Sequence, residues 1–283
     1  MQEDDQGGQE AEDLSKWRTV SPGKGGAGDE EDGKRDNQMP TNVGYFHFGT
    51  NHYKPVPELR AALTKIRKEY TDDRKEIAQS LIVLPEGFNI RKEYGDKKTI
   101  AYVESNVFGD LRQLANEFKI TFVSALITRS DWASGQPRPY NSACLIGSSE
   151  EAKIICRKQG DDGSENYSAC LTGHDIENPT SFSGFKVVVF ICLDADHSVC
   201  GFNQKRHAAI KKQITDPTYA VLCVPASGNR HAGRSMVKGW GCKYVVYANS
   251  SSSGESFIGV DEAVKESTPK NTPENFIKLY PCA

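Results

Sequence analysis

Apolar and polar positions along the 283-residue chain change their pattern near residue 40. Before it, Gly, Asp, Glu and Gln dominate and branched apolar residues are scarce. Such a segment cannot bury enough surface to offset its ordering entropy, so residues 1–40 are expected to form a disordered tail. From Asn42 onward apolar runs and helical stripes take turns. "NVGYFHFGT", "SLIVLPE", "ITFVSALITR", "NSACLIG", "AKIICRKQG", "FKVVVFICLD", "YAVLCVPAS" and "KYVVYANSS" read as strands, several of them continuously apolar. "PELRAALTKIRKEYTDDRKEIAQ" places Leu59, Leu63, Ile66 and Tyr70 at helical spacing behind a proline. "VFGDLRQLANEFKI" does the same with Leu111, Leu114, Ala115 and Phe118, and "GFNQKRHAAIKKQIT" and the short "GRSMVKGWGC" also read as helices.

Interleaved helices and continuous apolar strands predict an α/β protein whose sheets are covered by helices. The segments 141–147 and 153–158 follow one another with only a polar turn between them, which predicts an antiparallel pair inside a mixed sheet. A doubly wound nucleotide-binding sheet would share this order of elements. Yet no G-x-G-x-x-G follows the first strand and no G-x-x-x-x-G-K-[ST] occurs anywhere, so the phosphate cradle is missing and no cofactor is expected.

Charge narrows the partners. The formal net charge is −3, with a net −6 in residues 1–40 leaving the remainder near neutral, which gives no reason to expect nucleic acid or a membrane surface. No apolar run approaches the roughly 18 residues that span a bilayer. The opening "MQEDDQGGQE" lacks the features of a secretory signal, so a cytoplasmic location is expected. The eight cysteines include several inside apolar runs and form no C-x-x-C pair, which favours free buried thiols over disulfides or structural zinc.

Three reactive residues stand where apolar strands end: Glu86 after "LIVLPE", Lys158 after "KIICRK" and Cys192 in "VVVFICLD". Strand ends are where α/β folds build sites. Each residue alone also has a plain reading, as a surface charge, a solvated lysine and a core thiol. Together they form a set for covalent attack on a carbon–nitrogen bond. The thiol attacks, the carboxylate takes its proton, and the ammonium favours the thiolate and the oxyanion, with the Leu193 N–H as a second donor. Two rival readings of the cysteine remain. Asp194, Asp196, His197 and Cys200 could join Cys192 around a metal ion, or His197 could pair with Cys192 as in a cysteine protease.

The same residues sit in blocks that resemble the nitrilase superfamily of carbon–nitrogen hydrolases. "LIVLPEGF", "YNSACLIG…AKIICRK", "GFKVVVFICLD" and "GRSMVKGWGCKYVVYANSS", the last with Arg234 and Asn249, follow the order of the family's motifs over about 210 residues. The resemblance implies an α-β-β-α sandwich of two mixed sheets for residues 41–283. It implies a catalytic triad of Glu86, Lys158 and Cys192, without cofactor or metal. The substrate would be a small-molecule amide, nitrile or carbamoyl compound. An acyltransferase using the same triad, or an inactive binding protein on the same fold, are the alternatives. Two departures stand out. After Lys158 the family's His-Leu and later glutamate give way to "QGDDGSENYS", where Glu165 is the substitute at hand. At the C-terminus, "KESTPKNTPENFIKLYPCA" replaces the family's usual later strands and the tail that often makes oligomer contacts. A homodimer or higher homo-oligomer is nevertheless what the resemblance leads one to expect.

Overall fold

Period-two alternation in the strands decides which side chains face which layer. The computed structural model describes residues 40–49, 55–73, 75–88, 90–91, 102–103, 107–128, 140–147, 153–158, 177–182, 185–195, 201–227, 237–249, 254–269 and 271–282, which fall in one unit, Asp36–Ala283. Apart from Pro40, the expected tail lies outside the described residues.

The first sheet holds β1 (Asn42–His47), β2 (Leu81–Val83), β5 (Thr121–Thr128), β6 (Tyr140–Ile146), β7 (Lys153–Arg157) and β14 (Phe276–Pro281), in the order β14-β1-β2-β5-β6-β7. The second holds β8 (Thr180–Phe182), β9 (Phe185–Val189), β10 (Ala220–Ala226), β11 (Tyr244–Asn249), β12 (Ser256–Val260) and β13 (Ala263–Thr268), in the order β13-β12-β11-β10-β9-β8. Both sheets are mixed. β1, β2 and β5 run parallel while β5-β6-β7 are antiparallel, as the segments flanking residues 147–152 predict. In the second sheet β9-β10-β11 are parallel and both flanks are antiparallel.

On the first sheet Val43, Tyr45, Leu81, Val83, Val123, Ala125, Ala143 and Leu145 point inward and join the apolar side chains of the second sheet. Their neighbours Phe46, Ile82, Leu84, Phe122, Cys144 and Ile146 point outward, under α1 (Pro55–Asp72) and α2 (Val107–Phe118). The stripe of α2 is buried as its spacing requires, with Leu111, Leu114, Ala115 and Phe118 all inside. The second sheet carries α3 (Gly201–Lys211), whose buried Ile210 packs with that sheet's apolar side chains. Tyr45 Oη and Thr268 Oγ1 lie 2.6 Å apart and tie β1 to β13 across that core.

Several expectations change. α1 stops at Asp72 rather than running to Gln79, and Gln79 takes φ +61, a left-handed turn that sends the chain into β2. The stretch between Glu86 and α2, where no strand is expected, contains a short antiparallel pair, β3 (Ile90–Arg91) and β4 (Tyr102–Val103). The segment "GRSMVKGWGC" lies partly outside the described residues, and in its described part Gly239 and Gly241 hold φ +78 and +68, which a helix forbids. The C-terminal segment expected to replace the later strands instead supplies most of β13 and all of β14. β14 returns to the first sheet and pairs antiparallel with β1. Gly44 permits this pairing, because a Cβ there would meet the Lys278 carbonyl and the Leu279 side chain. Among the described residues Cys144, Cys156, Cys192, Cys223, Cys242 and Cys282 are free thiols, all but the last buried. No described helix is long and apolar enough to cross a membrane.

Candidate active site

Glu86 stands at the seam between the sheets. The ladder of β2 continues through Leu84, whose N–H donates to the Val123 carbonyl at 2.8 Å, and Pro85 then has no N–H to extend it. The Glu86 N–H crosses instead to the Ala226 carbonyl at the end of β10, 3.3 Å away. Gly87, at φ +69, turns the chain back and donates to Ala125 at 2.8 Å. The glutamate is thereby fixed where the two sheets meet, and only 7% of it is exposed.

Lys158 follows directly on β7, its N–H held by the Asn141 carbonyl at 2.8 Å. Its side chain, 1% exposed, places Nζ 2.7 Å from Glu86 Oε1. Asn141 Nδ2 donates to the same oxygen, also at 2.7 Å. Two donors on one oxygen orient the carboxylate. Asn141 was not singled out from the sequence, although a polar residue beginning a buried apolar strand was a readable signal. Its Oδ1 is buried without a hydrogen-bond partner.

Cys192 lies three residues beyond β9 rather than inside the strand. Phe190 N–H still donates to Cys223, but Cys192 then opens a short 3-10 turn, Cys192–Ala195, with φ +48. A non-glycine residue holds that left-handed conformation at some cost, and such positions cluster at functional sites. The thiol is 6% exposed and lies beside the Glu86 carboxylate, the Lys158 ammonium and the Ser227 backbone N–H.

The electrostatics of the thiol are set by opposing causes. Burial pushes the Cys192 thiol up to about 12, and the Glu86 charge adds to it, while Lys158 and the Ser227 N–H pull the other way without prevailing. Burial and the Glu86 charge thus favour the thiol form, against the pull of the neighbouring ammonium. For Lys158, burial disfavours the ammonium, but Glu86 and Cys192 outweigh it and raise its pKa. Tyr247, stacked on Phe257 at 5.1 Å, has its hydroxyl pKa raised by burial and by the nearby Cys192 and Glu86.

The structure thus brings Glu86, Lys158 and Cys192 into one buried place. Asp194 goes elsewhere, since its carboxylate pairs with Arg206 at 3.0 Å, which removes it from the metal set read beside Cys192. Among the described residues no cluster of His, Cys, Asp and Glu could hold a metal ion. Glu165, Asp196, His197, Cys200 and Arg234 lie outside the described residues. Asn249 ends β11 buried, its N–H donating to Ser256 Oγ at 3.0 Å and its side chain against Gly254.

No family model and no curated protein sequence matches the chain. Solved structures do match. A mutant of the amidase from Nesterenkonia sp. AN1, with acrylamide added to its active-site cysteine, is 15% identical, with a TM-score of 0.58 over 86% of this chain and 92% of that one. Saccharomyces cerevisiae Nit3, a member of branch 10 of the nitrilase superfamily, is 16% identical, with a TM-score of 0.53 over 85% and 89%. The fold is that of the nitrilase superfamily. In that nitrilase-like sandwich the seam holding Glu86, Lys158 and Cys192 is formed by both sheets at once, with β2, β6 and β7 on one side and the ends of β9 and β10 on the other.

Proposed function

We propose that the protein is a hydrolase of small-molecule, non-peptide carbon–nitrogen bonds, with Cys192 as nucleophile. The observation that carries this reading is the burial of the three groups in one place: Lys158 Nζ 2.7 Å from Glu86 Oε1, and the Cys192 thiol close enough to both for their charges to act on it. No isolated ion pair needs a thiol on its carboxylate, and no core thiol needs a left-handed backbone.

In the proposed reaction the Cys192 S–H proton passes to Glu86 as sulfur bonds to the amide carbon. Because the resting group is a thiol, attack and proton transfer are coupled. The carbonyl π electrons move to oxygen, and the Lys158 ammonium stabilises the resulting charge. When the tetrahedral adduct collapses, the C–N bond breaks and Glu86 returns its proton to the leaving nitrogen, releasing ammonia or an amine. Water then attacks the thioester, gives a proton to Glu86, and the C–S bond breaks to yield the carboxylic acid and the regenerated thiol. The cysteine adduct in the Nesterenkonia amidase supports this reading.

The test is release of ammonia from a panel of small amides and nitriles by the wild type, Cys192→Ala and Cys192→Ser, with intact-mass detection of an acyl adduct. Turnover and adduct are expected only in the wild type. Full activity in the alanine variant would refute the assignment.

A further inference from the structure

The short turn carrying Cys192 is pinned from behind. Asp194, two residues on and fully buried, is held by adjacent residues of α3 through its carboxylate and its carbonyl. Its carboxylate Oδ2 accepts from Arg206 Nη1 at 3.0 Å, and its carbonyl accepts from His207 Nε2 at 2.6 Å. A carbonyl can only accept, so His207 carries its proton on Nε2. Neither donor is free to wander. The His207 ring packs 4.5 Å from both Phe190 and Trp240, and the Arg206 guanidinium lies 5.0 Å over the Phe190 ring. At the other end of the segment, Asn178 accepts the Val189 N–H on Oδ1 at 3.1 Å and donates Nδ2 to the Val189 carbonyl at 2.8 Å. The stretch from Val189 to Asp194 is therefore held at both ends, and the left-handed residue lies between the clamps.

We infer that His207 and Arg206 are positioning residues for Cys192: by holding Asp194 through its carbonyl and its carboxylate, they keep the strained turn in place and the sulfur against Glu86. The inference rests on the reading of Cys192 as nucleophile. A non-glycine residue stays left-handed only while its surroundings over-determine it. Released at Asp194, the turn relaxes, and the sulfur moves away from the groups now around it, which are Glu86, Lys158, Tyr247 and the Ser227 N–H.

Two variants separate this role from plain packing. His207→Phe keeps an aromatic ring against Phe190 and Trp240 and removes the donor. His207→Gln gives up the ring but can present an N–H where Nε2 was. Iodoacetamide alkylation of Cys192, mapped by peptide mass from about pH 6 to 10, reads the sulfur's surroundings without any substrate. In the wild type the rate is expected to keep rising through this range. In His207→Phe it is expected to be about tenfold faster at pH 8 and to level off near the ordinary thiol value of about 8.5. His207→Gln should follow the wild type, and Arg206→Lys should fall between. Equal thermal destabilisation of Phe and Gln variants would leave this difference intact. The inference is overturned if the His207→Phe profile superimposes on the wild type's, if it moves to slower alkylation, or if His207→Gln shifts as far. Failure of the hydrolase reading shows separately, as turnover that survives Cys192→Ala.

Discussion

Removing one member of the Glu86–Lys158 pair should cost more than removing both. At 2.7 Å, and with an effective dielectric of about 20, the attraction amounts to roughly 6 kcal/mol. Burying two charges costs several kcal/mol each, so the pair as a whole contributes little net stability. A lone survivor is another matter. Glu86→Gln leaves the Lys158 ammonium 1% exposed without its carboxylate, and Lys158→Met leaves the carboxylate without its counter-charge, with Asn141 Nδ2 still on Oε1. Each single change is expected to destabilise the fold at pH 7 by about 3–5 kcal/mol. For a domain of this size, 3 kcal/mol lowers Tm by roughly 6–12 °C. The double variant should lose no more than either single one, giving a coupling of at least about 3 kcal/mol. The sign with pH follows from Lys158. Its folded pKa is raised by Glu86, so the stabilisation is complete below the unfolded value of about 10.4 and disappears as pH climbs through the folded value. The Glu86→Gln penalty is therefore largest at neutral pH and shrinks on the alkaline side. Urea unfolding of the four proteins at two pH values measures all of this. Strictly additive losses, or single losses below about 1 kcal/mol, would refute the buried pair. All three variants should lack turnover, so the double variant is expected to be folded and inactive.

Two further outcomes follow from the packing. Cys144, Cys192, Cys242 and Cys282 are pushed up to about 12, and Cys223 is also raised well above its ordinary value, chiefly by burial, so above about pH 8.5 the unfolded chain gives up thiol protons that the fold retains. Stability should fall from there by about 1.4 kcal/mol per pH unit for each such thiol, read by denaturant titration, and a flat profile between about pH 8 and 10 would show the thiols to be accessible. Gly44→Ala forces a methyl group onto β14 and should cost about 2–3 kcal/mol or displace that strand, visible as lost amide protection along Phe276–Pro281. Unchanged protection there would contradict the β1–β14 pairing.

The local elements were legible because their causes are local. The stripe of α2, the apolar runs of β2, β9 and β10, and the antiparallel turn between β6 and β7 follow from side-chain spacing, which the chain carries in its own order. Glu86, Lys158 and Cys192 could be named as a set because each follows an apolar run and matches a motif. Tertiary structure decided what depends on distance through space. It set the end of β9 before Cys192, where Val189 is the last residue in register with β10 and its N–H and carbonyl are both bonded to Asn178. It set the return of "FIKLYP" to β1, a pairing across more than two hundred residues that an alternating half-buried segment does not announce. It placed Asn141 on Glu86, and Asp194 between Arg206 and His207, instead of on a metal. The protonation of Cys192 belongs here too. Sequence supplies an ammonium that favours the thiolate, but burial between two sheets and a carboxylate at contact outweigh it, and both arise only when the sheets close on each other.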